Sequence, residues 1–167
     1  METALQKSNL EQFKTTADEI HEWSRYNFGD QEAIWPFMGI GEEIGELYAA
    51  LDAHNNKEVL DALGDISIYF GDFCANAKYY PQEEDTSVPI PILSVSYGKL
   101  CHTLLKRQQK IRGMDDDTAY RQALQERVNG FYASLNNACF RLFERYAVDI
   151  MSEVWETIVK KRNWRKG

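Results

Sequence analysis

Apolar side chains recur along most of the chain at alternating steps of three and four, the repeat of one helical face, and no stretch shows the convincing period of two that marks a strand. Leu10, Phe13, Ala17, Ile20 and Trp23 form the first stripe; Ser8 followed by Glu11 fits a capping box at its start, and NFGDQ at 27–31 breaks it. Pro36 suits the first turn of a second helix, which carries Phe37, Ile40, Ile44, Leu47 and Leu51. HNNK at 54–57 separates it from a third, with Val59, Leu63, Ile66, Phe70, Phe73 and Ala77. Three of the four prolines fall in PQEEDTSVPIP at 81–91, which predicts a loop because closely spaced prolines prevent regular hydrogen bonding. A fourth helix follows with Leu93, Tyr97, Leu100, Leu104 and Ile111, closed by Gly113. MDDDT at 114–118 places acids at the positive end of a long fifth helix bearing Leu124, Val128, Phe131, Leu135, Leu142 and Tyr146. A last helix carries Val154, Trp155 and Ile158 before the basic end KKRNWRKG, which reads as a frayed solubilising tail. The pattern predicts an all-α helical bundle, one domain over 1–167.

Composition narrows the classes of function. With 167 residues, 44% hydrophobic and 13% aromatic, the chain is long enough for one packed core and too apolar for disorder. No apolar run reaches the length of a membrane span, and the first residues lack a signal-peptide pattern. A net charge of −7 argues against a nucleic-acid coat, although an anionic small molecule can still bind where divalent cations intervene. Cys74, Cys101 and Cys139 are widely spaced, form no CxxC and lie on apolar stripes, so core positions and cytoplasmic residence are expected.

The candidate chemistry lies on the second and third helices. At about 100° per residue, Gly39, Glu43, Glu46 and Ala50 form a stripe beside the apolar face of the second helix, with Glu42 near Glu46. On the third, Glu58, Asp61, Asp65, Asp72 and Asn76 share a face flanked by Gly64, Ser67 and Gly71. Like charges three and four residues apart destabilise a helix, and neither stripe carries a lysine or arginine to offset them. Each interior glycine costs a helix about 1 kcal/mol relative to alanine, yet Gly39, Gly45, Gly64 and Gly71 gather beside the acids. Both features weigh against a solvated acidic face. Small residues there permit close approach of another helix or a ligand, and together the features favour a carboxylate cluster on two facing helices holding a hard cation, Mg²⁺ or Mn²⁺. Lys99, Lys106 and Lys110 on the fourth helix offer a basic face that would suit the phosphates of a polyphosphate.

GEEIGELYAA at 41–50 followed by DALGDISIYF at 61–70 resembles the MazG-like all-α nucleoside triphosphate pyrophosphohydrolases, most clearly over roughly 34–80. VWETIVKKRNW near the end is similar to the tails of such proteins. The resemblance implies a core at about 9–112 with additional helices at 117–162. It also implies Mg²⁺-dependent hydrolysis of a nucleoside or deoxynucleoside triphosphate to the monophosphate and pyrophosphate, and a homodimer or dimer of dimers. Glu43 and Glu46 match the family's ExxE pair, and Asp65 matches the aspartate of its ExxD motif. Ala62 stands where that motif has glutamate, so Asp61, or in a different register Glu58, would supply the missing carboxylate. The expected metal ligands are therefore Glu43, Glu46, Asp61 and Asp65. Glu42 or Glu46 would take a proton, and Tyr69, Lys99, Lys106 and Lys110 would contact substrate. Phosphoribosyl-ATP pyrophosphohydrolase and dimeric dUTPase share related motifs and are alternatives within the enzymes. A non-catalytic helical interaction module is the alternative outside them.

Other chemistry-bearing residues read as structural. His21 and His54 are expected at the surface without partners, and Trp23, Trp35 and Trp155 as packing residues. The run DDD at 115–117 lacks the glycine and distal glutamate of a calcium loop and fits helix capping.

Overall fold

The computed structural model describes residues 3–82 and 89–165; residues 83–88 of the expected proline-rich loop, and residues 1–2 and 166–167, lie outside the described residues. Among the described residues there are six α-helices and no strand: α1 Ala4–Phe28, α2 Ile34–Asp52, α3 Asn56–Ala77, α4 Leu93–Gln109, α5 Asp117–Phe143 and α6 Ala147–Thr157, followed by a 3₁₀ turn at Val159–Lys161. None of these helices is long and apolar enough to cross a membrane.

Local chemistry sets the helix ends, sometimes away from where the pattern placed them. The N-cap of α1 lies five residues before Ser8, at a capping box in which Thr3 Oγ1 accepts from Gln6 N (3.1 Å) and Gln6 Oε1 accepts from Thr3 N (2.8 Å). This earlier box wins because good helix formers follow it without interruption. Gly29, at φ 80°, ends α1. Asn55 caps α3, and Asp116 caps α5 by accepting from Ala119 N at 2.8 Å, the role read for the DDD run. α4 stops at Lys110, in the left-handed region, rather than at Gly113, so Ile111 is not a helical core residue but is exposed. Arg107 holds that reversal by donating to the Met114 and Asp115 carbonyls and pairing with Asp117. α5 ends at Phe143; Leu142 is exposed and Tyr146 begins α6 instead of extending α5.

α3 is the central helix, packing against α1, α2 and α6, while α4 packs on α5. Phe13 of α1 meets Phe70 of α3 at 5.5 Å between ring centres, and Phe70 meets Phe131 of α5 at 4.7 Å. These rings join the two halves of the chain, and the buried cluster draws on all six helices without a seam at residue 112. Gly64 permits a close helix contact: a Cβ built there would fall 2.4 Å from a Val154 methyl of α6. Of the cysteines, Cys74 and Cys139 are buried as expected, whereas Cys101 is only half-buried; all three are free thiols.

Candidate functional site

The adjacent helices α2 and α3 bring their acids to one region. Glu43 follows the buried Ile40 and precedes the buried Ile44 on α2, so its side chain is drawn under the surface and is only 8% exposed. Its Oε2 is buried with no hydrogen-bond partner. Glu42 and Glu46 are exposed, and each offers an oxygen within 4.8 Å of the others and of Glu43. Burial first, then the charges of Asp65, Glu46 and Glu42, push the Glu43 carboxyl up to about 8. Asp65 on α3 is half-buried and is pushed up to about 6 by burial, with Asp61 and Glu46 adding to the rise and Arg162 opposing it.

The expected metal set is thus redistributed. Glu42, expected as a proton acceptor, belongs to the tight cluster with Glu43 and Glu46. Asp65 lies beside that cluster and feels its charge, but Asp61 and Asp65 are outside the group whose oxygens approach within 4.8 Å. Asp61 is half-buried and its charge acts on Asp65, while Ala62 is buried in the core. Glu58 is exposed in the first turn of α3, outside the cavity that holds Glu43 and Asp65.

That cavity, of about 460 Å³, runs between α1, α2, α3 and the C-terminal segment. Tyr69, one turn beyond Asp65, lines it as expected; its ring lies over Gly39, where a Cβ would fall 2.5 Å from the ring. Burial and the charges of Glu42 and Glu43 raise the Tyr69 hydroxyl above its ordinary range, which keeps it a hydrogen-bond donor. The expected lysines are elsewhere. Lys99 faces a separate groove between α4 and α5, Lys106 donates to Gln109 at 2.9 Å, and Lys110 ends α4. α4 touches α2 only lightly and turns its basic face away from the cavity.

The positive charge in the cavity comes from the end of the chain. Trp23 Nε1 donates to the Arg162 carbonyl at 3.1 Å, Trp164 N donates to Asn27 Oδ1 at 2.6 Å, and the Arg165 guanidinium lies 4.8 Å over the Tyr26 ring. The basic tail is therefore docked along α1 through residue 165, not frayed, and it places Arg162 and Trp164 on the cavity wall. Trp155 is buried as expected, and Trp23 packs against it with ring centres 5.7 Å apart. Trp35 and Trp164 differ: both are more than half exposed and both line the cavity. His21 also departs from expectation, since its Nδ1 donates to Asp72 Oδ1 at 2.7 Å, and Ser24 adds a hydrogen bond to the same carboxylate. The available signals for these residues were the aromatic residue within RNW and the small polar Ser24 on an apolar face.

The donors present fit a hard divalent ion. They are all carboxylates, three converge within 4.8 Å, a fourth lies adjacent, and one buried oxygen lacks any partner. Aromatic side chains and an arginine beside such a centre can also receive a planar ring and an anion. No family model, curated protein or solved structure matches the chain.

Proposed function

We propose that this chain is a Mg²⁺-dependent nucleoside triphosphate pyrophosphohydrolase of the MazG-like type, with Mn²⁺ as an alternative ion. The observation that carries the reading is Glu43. A carboxylate buried among other carboxylates, with one oxygen unpartnered, is costly unless a proton neutralises it or a cation completes it, and a bound cation would displace that proton. Glu42, Glu43 and Glu46 would hold the ion, with Asp65 completing its shell and Asp61 as a further oxygen donor. The ion would neutralise phosphate oxygens and lower the pKa of a coordinated water. Exposed Glu46 would accept the proton of the attacking water, with Glu42 as the neighbouring alternative. Arg162 takes the role expected of the lysines within the protomer, binding phosphate oxygens beside Asp65. Tyr69 donates its hydroxyl to the sugar or phosphates.

Incubation with Mg²⁺ and a panel of NTPs and dNTPs, followed by ³¹P NMR, tests the reading. Pyrophosphate and the monophosphate are the expected products, and Glu43→Gln abolishes them. Release of orthophosphate alone, or no turnover with any triphosphate, contradicts it.

We further propose a homodimer, or a dimer of such dimers, in the cytoplasm. Ile34 and Tyr48 of α2 are exposed two heptads apart with Met38 one turn beyond Ile34, and the helix between them is open at Gly45. Val95 and Leu105 of α4 are exposed in the same way around an open Gly98. Glu42 and Glu46 flank the first stripe and Lys99 flanks the second, so a second copy offers matched charge, and it is the route by which Lys99, Lys106 and Lys110 would reach phosphates. Three free thiols suit a reducing compartment. The same apolar stripes favour the second reading, a non-catalytic interaction module. Mg²⁺ separates the two: it raises the melting temperature of the enzyme and leaves the module unchanged.

A further inference from the structure

Glu43 and Asp65 are the cavity-lining acids that the hydrolysis scheme uses. Asp72 forms a further acidic point on the cavity wall, and the hydrolysis scheme does not use it. Seven residues along α3 from Asp65, it lies about 10 Å further on at 1.5 Å per residue. That distance is comparable to the reach from an α-phosphate to the far edge of a nucleobase. Asp72 is 7% exposed yet lines the cavity. From α1, His21 Nδ1 donates to its Oδ1 at 2.7 Å and Ser24 adds a hydroxyl bond, which fixes the carboxylate's orientation. His21 itself does not line the cavity, so Asp72 stands between its support and the open space.

We propose that Asp72 is the base-reading residue of this site and that it selects guanine. The inference rests on the nucleotide reading above. Burial raises the Asp72 carboxyl while the His21 and Ser24 hydrogen bonds oppose that rise and favour its ionised form, which presents acceptors only. Among the common bases, guanine alone offers two adjacent N–H donors, N1–H and the N2 amine, on its Watson–Crick edge. A carboxylate meets both at once in a two-pronged contact. Cytosine and adenine offer one donor beside an acceptor lone pair, and that lone pair would face a carboxylate oxygen. Uracil and thymine offer one donor flanked by two carbonyl oxygens, which the carboxylate repels. The cavity's aromatic walls, Trp35 and Trp164, supply flat apolar surface for any base, so discrimination falls to the edge contact.

The test is a tryptophan-fluorescence titration of the full-length protein, in the presence of Mg²⁺, using GMP, IMP, AMP, CMP and UMP, none of which is a triphosphate substrate. Inosine lacks only the N2 amine, so the wild-type GMP-to-IMP ratio reads the second prong with no mutation. GMP is expected to bind about tenfold or more tighter than IMP, as for loss of one hydrogen bond to a charged group, and tighter than the remaining three. In Asp72→Asn the GMP-to-IMP ratio falls to near one. Ser24→Ala, which loosens one of the two supports, gives an intermediate ratio. Equal wild-type affinity for GMP and IMP overturns the proposal, as does a guanine preference that survives in Asp72→Asn. Absence of measurable binding for all five overturns it as well. If Asp72→Asn fails to fold, the wild-type ratio decides. Because binding is read without turnover, the two readings fail separately: guanine-selective binding without hydrolysis rejects the enzyme, and hydrolysis without guanine preference rejects Asp72 as the reader.

Discussion

Glu43 shows how a single side chain can carry a functional argument. Its position on the edge of an apolar stripe buries it, and its neighbours Asp65, Glu46 and Glu42 share its sign, so its carboxyl rises to about 8 from an ordinary 4.5. In the unfolded chain the same group is ionised above about pH 4.5. Between that pH and 8 the folded state therefore binds the additional proton, and stability falls as pH rises through the window. Asp65 adds the same sign between 3.8 and about 6. The metal-free protein is therefore expected to lose urea stability from pH 5 to pH 8, and Glu43→Gln is expected to flatten that slope while abolishing any response to Mg²⁺. A slope unchanged in the variant assigns the pH dependence elsewhere. Arg162 yields a companion prediction. Arg162→Ala is expected to lower triphosphate turnover by about a hundredfold, the scale of losing one positioned charge, with the helical circular dichroism unchanged.

At the scale of elements, the helix–helix contacts are set by residue size as much as by hydrophobicity. The approach of α6 to Gly64 leaves no room for a methyl group. Gly64→Ala is expected to cost about 1–3 kcal/mol by overpacking despite alanine's better helix propensity, and Val154→Ala in the same chain is expected to recover part of it. Denaturant midpoints of the single and double variants measure this, and an undiminished midpoint in Gly64→Ala contradicts the close contact. The helices themselves were legible in the apolar period, because each buries one continuous stripe against α3 or against the α4–α5 pair. Their ends were less so. The Thr3–Gln6 box and the Ser8–Glu11 pattern obey the same rule, and nothing local to the sequence ranks them. The end of α4 at Lys110 depends on Arg107 reaching across to the Met114 carbonyl, a contact the helical period does not encode.

For the molecule as a whole, the candidate site was half legible. Glu43, Glu46 and Asp65 lie on two consecutive helices joined by a short turn, so a helical wheel suffices to bring them together. The face that α4 presents to the rest of the bundle is set by its packing on α5, so Lys99, Lys106 and Lys110, which the wheel grouped and directed to the cavity, do not line it, and Lys110 lies past the last residue of α4. Arg162 and Trp164 return to that cavity from the far end of the chain, and His21 meets Asp72 from another helix; such contacts are products of the tertiary fold. The exposed stripes on α2 and α4 make a prediction at this scale too. Met38→Asp is expected to convert the proposed dimer to a monomer in sedimentation at micromolar concentration. A wild-type protein that sediments as a monomer refutes the second copy.

The central claim is that acids from neighbouring helices converge on a divalent ion. Electron paramagnetic resonance of Mn²⁺ tests it without reference to substrate, because the six-line signal of the free ion is lost on binding. The account predicts that the wild-type protein depletes this signal saturably, with Mg²⁺ competing, and that Glu43→Gln restores it. A free-ion signal that persists unchanged in the presence of excess folded wild-type protein contradicts it.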